Sequence, residues 1–120
     1  LSLGAYYPGD DVVDVVGLSV FGLQAYDNYR WQRDMSFADL VRPGYGEAAK
    51  FGKPIYVAEL GYSGEAAYVE SWVKTVLEKR DEFPLLMGVV YFNDRDVVAW
   101  PHGLGVPDWR VTSNIVENPL

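Results

Sequence analysis

Residues 53–61 read Lys53-Pro54-Ile55-Tyr56-Val57-Ala58-Glu59-Leu60-Gly61, a short apolar run that ends in one carboxylate and a glycine. Lysine and proline punctuate its start, and Ile55, Tyr56 and Val57 have the β-branched and aromatic character of a buried strand. Glu59 breaks the pattern. A carboxylate on such a run costs free energy unless it is paired, hydrogen-bonded or in use. In barrels of parallel strands the chemistry is done at the C-terminal strand ends, where a glutamate is a candidate nucleophile or general acid/base. A structural glutamate bonded to a neighbouring strand end accounts for the position equally well.

Upstream of this strand, Tyr6-Tyr7-Pro8-Gly9-Asp10-Asp11 reads as a turn. Val12 to Phe21 then forms a valine-rich run interrupted by Asp14 and Ser19, as expected of a parallel strand buried on both faces. From Gly22 to Asp34 the composition turns polar and aromatic, which reads as a loop carrying Tyr26, Tyr29 and Trp31. Loops in that position carry binding function on parallel α/β scaffolds. Its aromatics form either a platform for a sugar ring or a lid on the core. Ser36 caps a helix from Phe37, Pro43-Gly44 breaks or kinks it, and a second short helical piece stops at Gly52.

Downstream, Ser63 caps a helix from about Gly64 to Lys79. Val69, Trp72, Val73, Val76 and Leu77 share one face at helical spacing, which makes Trp72 a core residue. Glu65 and Glu70 in its N-terminal half, and Lys79 and Arg80 at its end, suit the helix dipole. Phe83-Pro84 ends that segment, and Leu85 to Phe92 supplies a third buried strand that stops at Asn93-Asp94. Arg95 to Leu120 reads as a long irregular loop holding Trp100, His102 and Trp109, with a last short helix near Ser113. Strand, helix, strand, helix, strand is a run of right-handed βαβ units, hence an α/β fold.

A chain of 120 residues has room for one domain. Four Trp, nine Tyr and five Phe suit flat ligands such as sugar rings, and aromatic cores explain part of the bias. The net charge of -7, with no basic cluster, argues against nucleic acid. The sequence contains no cysteine, which excludes disulfides and thiolate metal sites, and its single histidine, His102, excludes a multi-histidine metal site within the chain. No metal or other cofactor is therefore expected. No apolar run approaches the ~20 residues that span a bilayer. The start lacks the pattern of a signal peptide and an initiator methionine, so the chain is expected to be a piece of something longer, with any targeting information elsewhere.

Taken in order, several segments resemble one family. They are the Tyr-Pro-Gly-Asp turn, the Val-Asp-x-Val-Gly strand, Lys-Pro-Ile-x-x-x-Glu-x-Gly, then Phe-Pro, the Val-Val-x-Phe-Asn strand and the late Asp-Trp-Arg. Together they look like the C-terminal part of glycoside hydrolase family 26, the mannanase-type (β/α)8 barrels. The resemblance spans nearly the whole chain. It implies that residues 1–120 are a partial barrel domain of about strands six to eight, with the N-terminal half of the barrel missing. It implies that Glu59 matches the nucleophile on strand seven, that the acid/base glutamate on strand four lies upstream, and that the setting is extracytoplasmic or secreted. Where the family usually has Asp and Tyr after the glycine of strand six, this sequence has Ser19 and Phe21, so the tyrosine hydroxyl that bonds the nucleophile is absent. Barrels of this type also occur beside polysaccharide synthases, an association the resemblance extends here as an expectation.

Retaining glycoside hydrolysis needs two carboxyl groups about 5–5.5 Å apart, and Glu59 supplies one. Asp10 and Asp11 enter from the wrong strand end, while Asp94 and Asp96 lie at the right end and bind substrate or cap the loop. The isolated chain is expected not to hydrolyse glycans, and to need its missing half or copies of itself to cover open sheet edges. Three readings follow. In the first, a fragment of a retaining β-glycosidase acts on mannan or β-glucan, with Glu59 as nucleophile and Tyr26, Trp31, Trp100, Trp109 and Asn93 binding the polysaccharide. In the second, motivated by Phe21, a barrel without turnover binds or guides a polysaccharide. The third is a self-contained α/β domain of unrelated function.

Overall fold

The structure, a computed structural model, describes residues 2–78 and 81–111. Three strands, β1 (Val16–Leu23), β2 (Ile55–Ser63) and β3 (Leu86–Tyr91), form one parallel sheet in the order β1-β2-β3. Helix α1 (Gln24–Trp31) follows β1 directly, α2 (Phe37–Ala48) carries the chain back to β2, and α3 (Ala66–Thr75) connects β2 to β3. The protein is thus a small α/β unit whose parallel three-stranded sheet is compatible with part of a (β/α)8 barrel.

Both crossover helices pack on one face of the sheet. Val20, Ile55, Val57, Leu60 and Tyr62 from the strands share a single core with Phe37, Val41 and Tyr45 of α2 and with Tyr68, Val69 and Trp72 of α3. The rings of Phe37 and Trp72 meet at 6.1 Å, which joins the two helices across the core. On the opposite face the segment after β3 covers only the C-terminal end, where Trp109 packs on Phe21 and Gly61, and Tyr56, Met87 and Val90 stand 39%, 52% and 58% exposed. Parallel sheets are ordinarily covered on both faces. The expectation that these strands are buried on both sides is therefore corrected: one face is covered by the helices and the other is open over most of its length. Among the described residues the outer edges of β1 and β3 also lie unpaired.

The valine-rich run expected as one strand from Val12 becomes sheet only at Val16, whose N–H donates to the Pro54 carbonyl at 2.9 Å. β2 starts at Ile55, so among the described residues Val12 to Val15 have no partner strand, and Val12 and Val15 are exposed. Strand propensity without a ladder partner does not make a strand.

Ser36 caps α2 as expected. Its hydroxyl accepts from the Asp39 N–H at 3.1 Å and the Asp39 carboxylate accepts from the Ser36 N–H at 3.0 Å, a reciprocal capping box. These bonds and the nearby Arg33 guanidinium hold the Asp39 carboxyl below the usual carboxylate range. Of the break or kink expected at Pro43-Gly44, the break does not occur, and one helix runs through to Ala48. Phe37 and Val41 before the proline and Tyr45 and Ala48 after it are all buried on one stripe. Their burial, worth about 1.5–3 kcal/mol per large side chain, outweighs the roughly 3 kcal/mol cost of an interior proline. Replacing Ser36 with alanine should remove about 1 kcal/mol of stability, read as a lower midpoint in urea denaturation. An unchanged midpoint would show the cap to be idle.

The helix expected over residues 64–79 is shorter, and Glu65 rather than Ser63 occupies its N-cap position. Its inner face is also turned. Val69, Trp72 and Val76 are buried as expected, but Val73 and Leu77 are 40% and 77% exposed while Tyr68 takes an inner place. The Tyr68 hydroxyl donates to the buried Asp27 carboxylate, and that bond draws this side of the helix inward. Lys79, Arg80 and the short helix expected near Ser113 lie outside the described residues.

Candidate functional site

Strict alternation from Ile55 would place Val57 and Glu59 on the same side of β2. The register does otherwise. Leu18 pairs with Val57 but Ser19 pairs with Glu59, so Ala58 is an extra residue at a bulge, and the pairing with β3 also shifts between Val57 and Leu60. Val57 and Leu60 both enter the core at 0% and 1% exposure, and the two residues between them are exposed. A bulge of this kind re-aims a side chain. Here it turns Glu59 away from the helices and onto the open face. Among the described residues its carboxylate makes no hydrogen bond or ion pair, so the tie to a neighbouring strand end considered for a structural glutamate is not made there.

Two residues further along the same face, Phe21 pairs with Gly61, about 7 Å towards the C-terminal end at the usual strand rise. The Phe21 ring packs on Trp109 at 5.0 Å and on Phe92 at 5.7 Å. A Cβ on Gly61 would fall 2.8 Å from the Phe21 ring and 2.9 Å from the Trp109 ring, so the absence of a side chain there admits both rings. Above the strand ends, an aromatic series continues. Trp109 meets Trp100 at 5.8 Å, Trp100 meets Tyr26 edge to face at 5.5 Å, and Tyr26 meets Trp31 edge to face at 5.8 Å.

Two elements deliver these rings. The first is α1, where a loop was expected from the polar composition of residues 22–34. It closes with Gln32 in the left-handed region at φ 57°. The second is the segment after β3, expected to be irregular, which forms a narrow out-and-back excursion. The Asp96 N–H donates to the Pro107 carbonyl at 2.9 Å and the Trp100 N–H to the Gly105 carbonyl at 2.8 Å, with a turn of Pro101-His102-Gly103-Leu104 between. His102, Gly103 and Gly105 all have positive φ there. The His102 ring stacks on Tyr29 of α1 at 4.2 Å, which ties the excursion to the helix.

Tyr26, Trp31 and Trp100 are brought together, each half-buried with part of its ring in solvent. Trp109, expected to line a sugar subsite, is fully buried at 0% exposure among the other rings. Its carbonyl accepts from the Tyr91 hydroxyl and its N–H donates to the Asp94 carbonyl, so it is a support beneath Trp100. Asn93 is exposed, but its side-chain oxygen accepts from the Val111 N–H at 2.7 Å and thereby fastens the chain after Trp109. Of the two readings for Asp94 and Asp96, loop capping is the one with bonds: Asp94 accepts from the Arg95 N–H, and Asp96 accepts from both indoles.

Compared with known proteins, the chain matches no family model and no curated protein.

Asp27 is the residue that sequence reasoning passed over. It lies 1% exposed at the base of α1, where one carboxylate oxygen accepts from the Tyr68 hydroxyl at 2.7 Å and the Met35 N–H at 3.0 Å. Burial pushes its carboxyl above the usual carboxylate range against the pull of those two bonds, and burial together with Asp27 pushes the Tyr68 phenol up. Nothing in the composition of residues 24–31 marks this aspartate apart from its neighbours, because its partners are 8 and 41 residues away. A shallow apolar hollow of about 190 Å³ lies elsewhere, between Leu3, Tyr7 and Phe51 and the start of β1. Among the described residues no group of three or more His, Cys, Asp or Glu is placed to hold a metal ion, and no helix is long and apolar enough to cross a membrane.

Proposed function

We propose that this chain is part of a retaining β-glycoside hydrolase of the family 26 barrel type, acting on a β-linked polysaccharide such as mannan or β-glucan, with Glu59 as the nucleophile. The observation that carries the reading is the bulge at Ala58, which places a glutamate on the open face of the central parallel strand, below a cluster of aromatic rings at the C-terminal strand ends. In this reading the open face is the interior of a barrel, and the missing N-terminal half, or copies of the chain, cover Tyr56, Met87 and Val90.

The chemistry follows from the carboxylate. A Glu59 oxygen attacks the anomeric carbon while the glycosidic oxygen leaves with a proton from a second carboxyl group on one of the remaining strands. Water then displaces Glu59 from the glycosyl-enzyme and gives its proton to that same second group. Ser19, a hydroxyl residue, is the β1 residue paired with Glu59. Trp100 and Tyr26 offer partly exposed rings to the sugar chain.

A second reading rests on Phe21: a ring with no hydroxyl occupies the open face beside the glutamate's strand, as in a barrel that binds a polysaccharide, in association with a polysaccharide synthase, without cleaving it. Glu59→Gln separates the two in the protein that carries the remaining barrel strands. Hydrolysis of mannan or β-glucan should fall by at least about a thousandfold, the scale of losing a nucleophile, while oligosaccharide binding persists. Unchanged hydrolysis would refute the assignment of Glu59. Binding without hydrolysis in both proteins would favour the second reading.

A further inference from the structure

The two oxygens of the Asp96 carboxylate hold two indoles. Trp100 Nε1 donates to Oδ2 at 2.5 Å and Trp109 Nε1 donates to Oδ1 at 3.0 Å. Trp109 is immobilised independently by full burial, by the Phe21 ring and by its backbone bonds to Asp94 and Tyr91. Asp96 is itself fixed on the excursion by its N–H bond to Pro107. Trp100 is different. It is half-buried, it sits near the outer end of the excursion, and among the described residues its indole is held by the carboxylate, by a tilted contact with Trp109 and by the edge-to-face contact with Tyr26.

We propose that Asp96 is the positioning residue of the carbohydrate-stacking surface: by bridging a fixed indole to a partly exposed one, it holds Trp100 against Tyr26 in the orientation at which its free face takes a pyranose ring. This rests on the glycan-binding part of the function proposed above and does not depend on hydrolysis. The ligand class is a β-linked hexopyranose chain, whose C–H faces suit flat aromatic surfaces. Asp96 does not touch the sugar. It acts through Trp100, because an indole that rotates freely about its side-chain torsions must lose that freedom on binding, and ordering a side chain in advance removes that cost. A charge-assisted bond from an indole N–H is strong enough to select one rotamer.

The test is a titration of intrinsic tryptophan fluorescence in the protein that carries the remaining barrel strands, with mannohexaose and cellohexaose as probes. The parent is expected to bind at least one of them saturably, and Trp100→Ala to lose that binding. Asp96→Ala should weaken affinity about tenfold, the scale of one lost preorganising hydrogen bond, and Asp96→Glu, which keeps both acceptors, should stay within about threefold of the parent. Ser36→Ala, a destabilising change remote from the excursion, controls for stability and should leave affinity unaltered. The proposal is overturned if the parent binds neither hexaose, if Asp96→Ala binds as tightly as the parent, or if Asp96→Glu is as weak as Asp96→Ala. Failure here and failure of the hydrolase reading are separable. Asp96-dependent binding by a protein that never forms a glycosyl-enzyme at Glu59 leaves this surface standing and removes the hydrolase. Glycosylation of Glu59 with binding indifferent to Asp96 does the reverse.

Discussion

Gly22→Ala is expected to remove a large share of the fold's stability and to lower its urea midpoint sharply. A Cβ at this position in β1 would lie 2.4 Å from Trp72 Cζ2, 2.8 Å from Trp72 Cε2 and 2.7 Å from the Tyr68 hydroxyl oxygen. Neither neighbour can retreat cheaply. Trp72 is 1% exposed, packs between Phe37 and Tyr62, and donates from Nε1 to the Met35 carbonyl at 3.1 Å. Tyr68 is bonded to Asp27. Making room costs the overpacking strain of a dense core, about 1–3 kcal/mol, and breaks at least one of two buried hydrogen bonds at about 1–3 kcal/mol each. Against a total stability on the order of 5–15 kcal/mol, the sum removes a large share. Urea denaturation followed by tryptophan fluorescence reads the outcome. A midpoint equal to that of the parent would show that β1 and α3 are not packed as closely as these distances state.

The second large effect is at Asp27. Asp27→Ala should cost about 2–4 kcal/mol, because it strips the acceptor from two buried donors, the Tyr68 hydroxyl and the Met35 N–H. Asp27→Asn retains a carbonyl oxygen for both and should cost much less. The pH dependence has a definite sign. Burial raises the folded-state pKa of Asp27, with Asp34 adding to the rise and Arg33 opposing it, so the folded protein binds this proton more tightly than the unfolded chain does. The stabilisation from that proton is fully present below the ordinary carboxylate value, about 4, and is lost as pH rises from there through the raised folded value. The parent should therefore lose stability relative to Asp27→Asn across that interval, and the two denaturation midpoints should diverge as pH rises. Parallel curves would mean that Asp27 is ionised in the fold at the same pH as in the unfolded chain.

Elements marked by local chemistry were legible before any coordinates. Ser36 with Asp39 three residues on marks the start of α2, Gly52 marks the stop before β2 with φ 67°, and the apolar runs around Ile55 and Val89 mark β2 and β3. What escaped depends on partners remote in sequence. Helix α1 is eight residues of mostly polar character, with Asp27 its single buried residue, bonded to a tyrosine on another helix. The excursion after β3 is organised by one aspartate accepting from two tryptophans, a pattern with no sequence period. Val12 to Val15 have strand character but no strand beside them among the described residues. The candidate nucleophile shows both sides of this. Its place near the end of β2 was readable from Lys53-Pro54 and the following apolar run, whereas its direction was not. Simple alternation turns Glu59 inward with Ile55 and Val57, and only the register against Ser19 and Tyr91 reveals the bulge that turns it out.

The same bulge ties the fold to the chemistry, and trapping of the glycosyl-enzyme tests it most directly. The protein carrying the remaining barrel strands would be incubated with a 2-deoxy-2-fluoro-β-mannosyl or -glucosyl fluoride, digested and analysed by peptide mass spectrometry. The account predicts one added glycosyl group on the peptide containing Glu59, absent in Glu59→Gln. A label on another carboxylate, or sustained hydrolysis of mannan or β-glucan with Glu59 unlabelled, would contradict it.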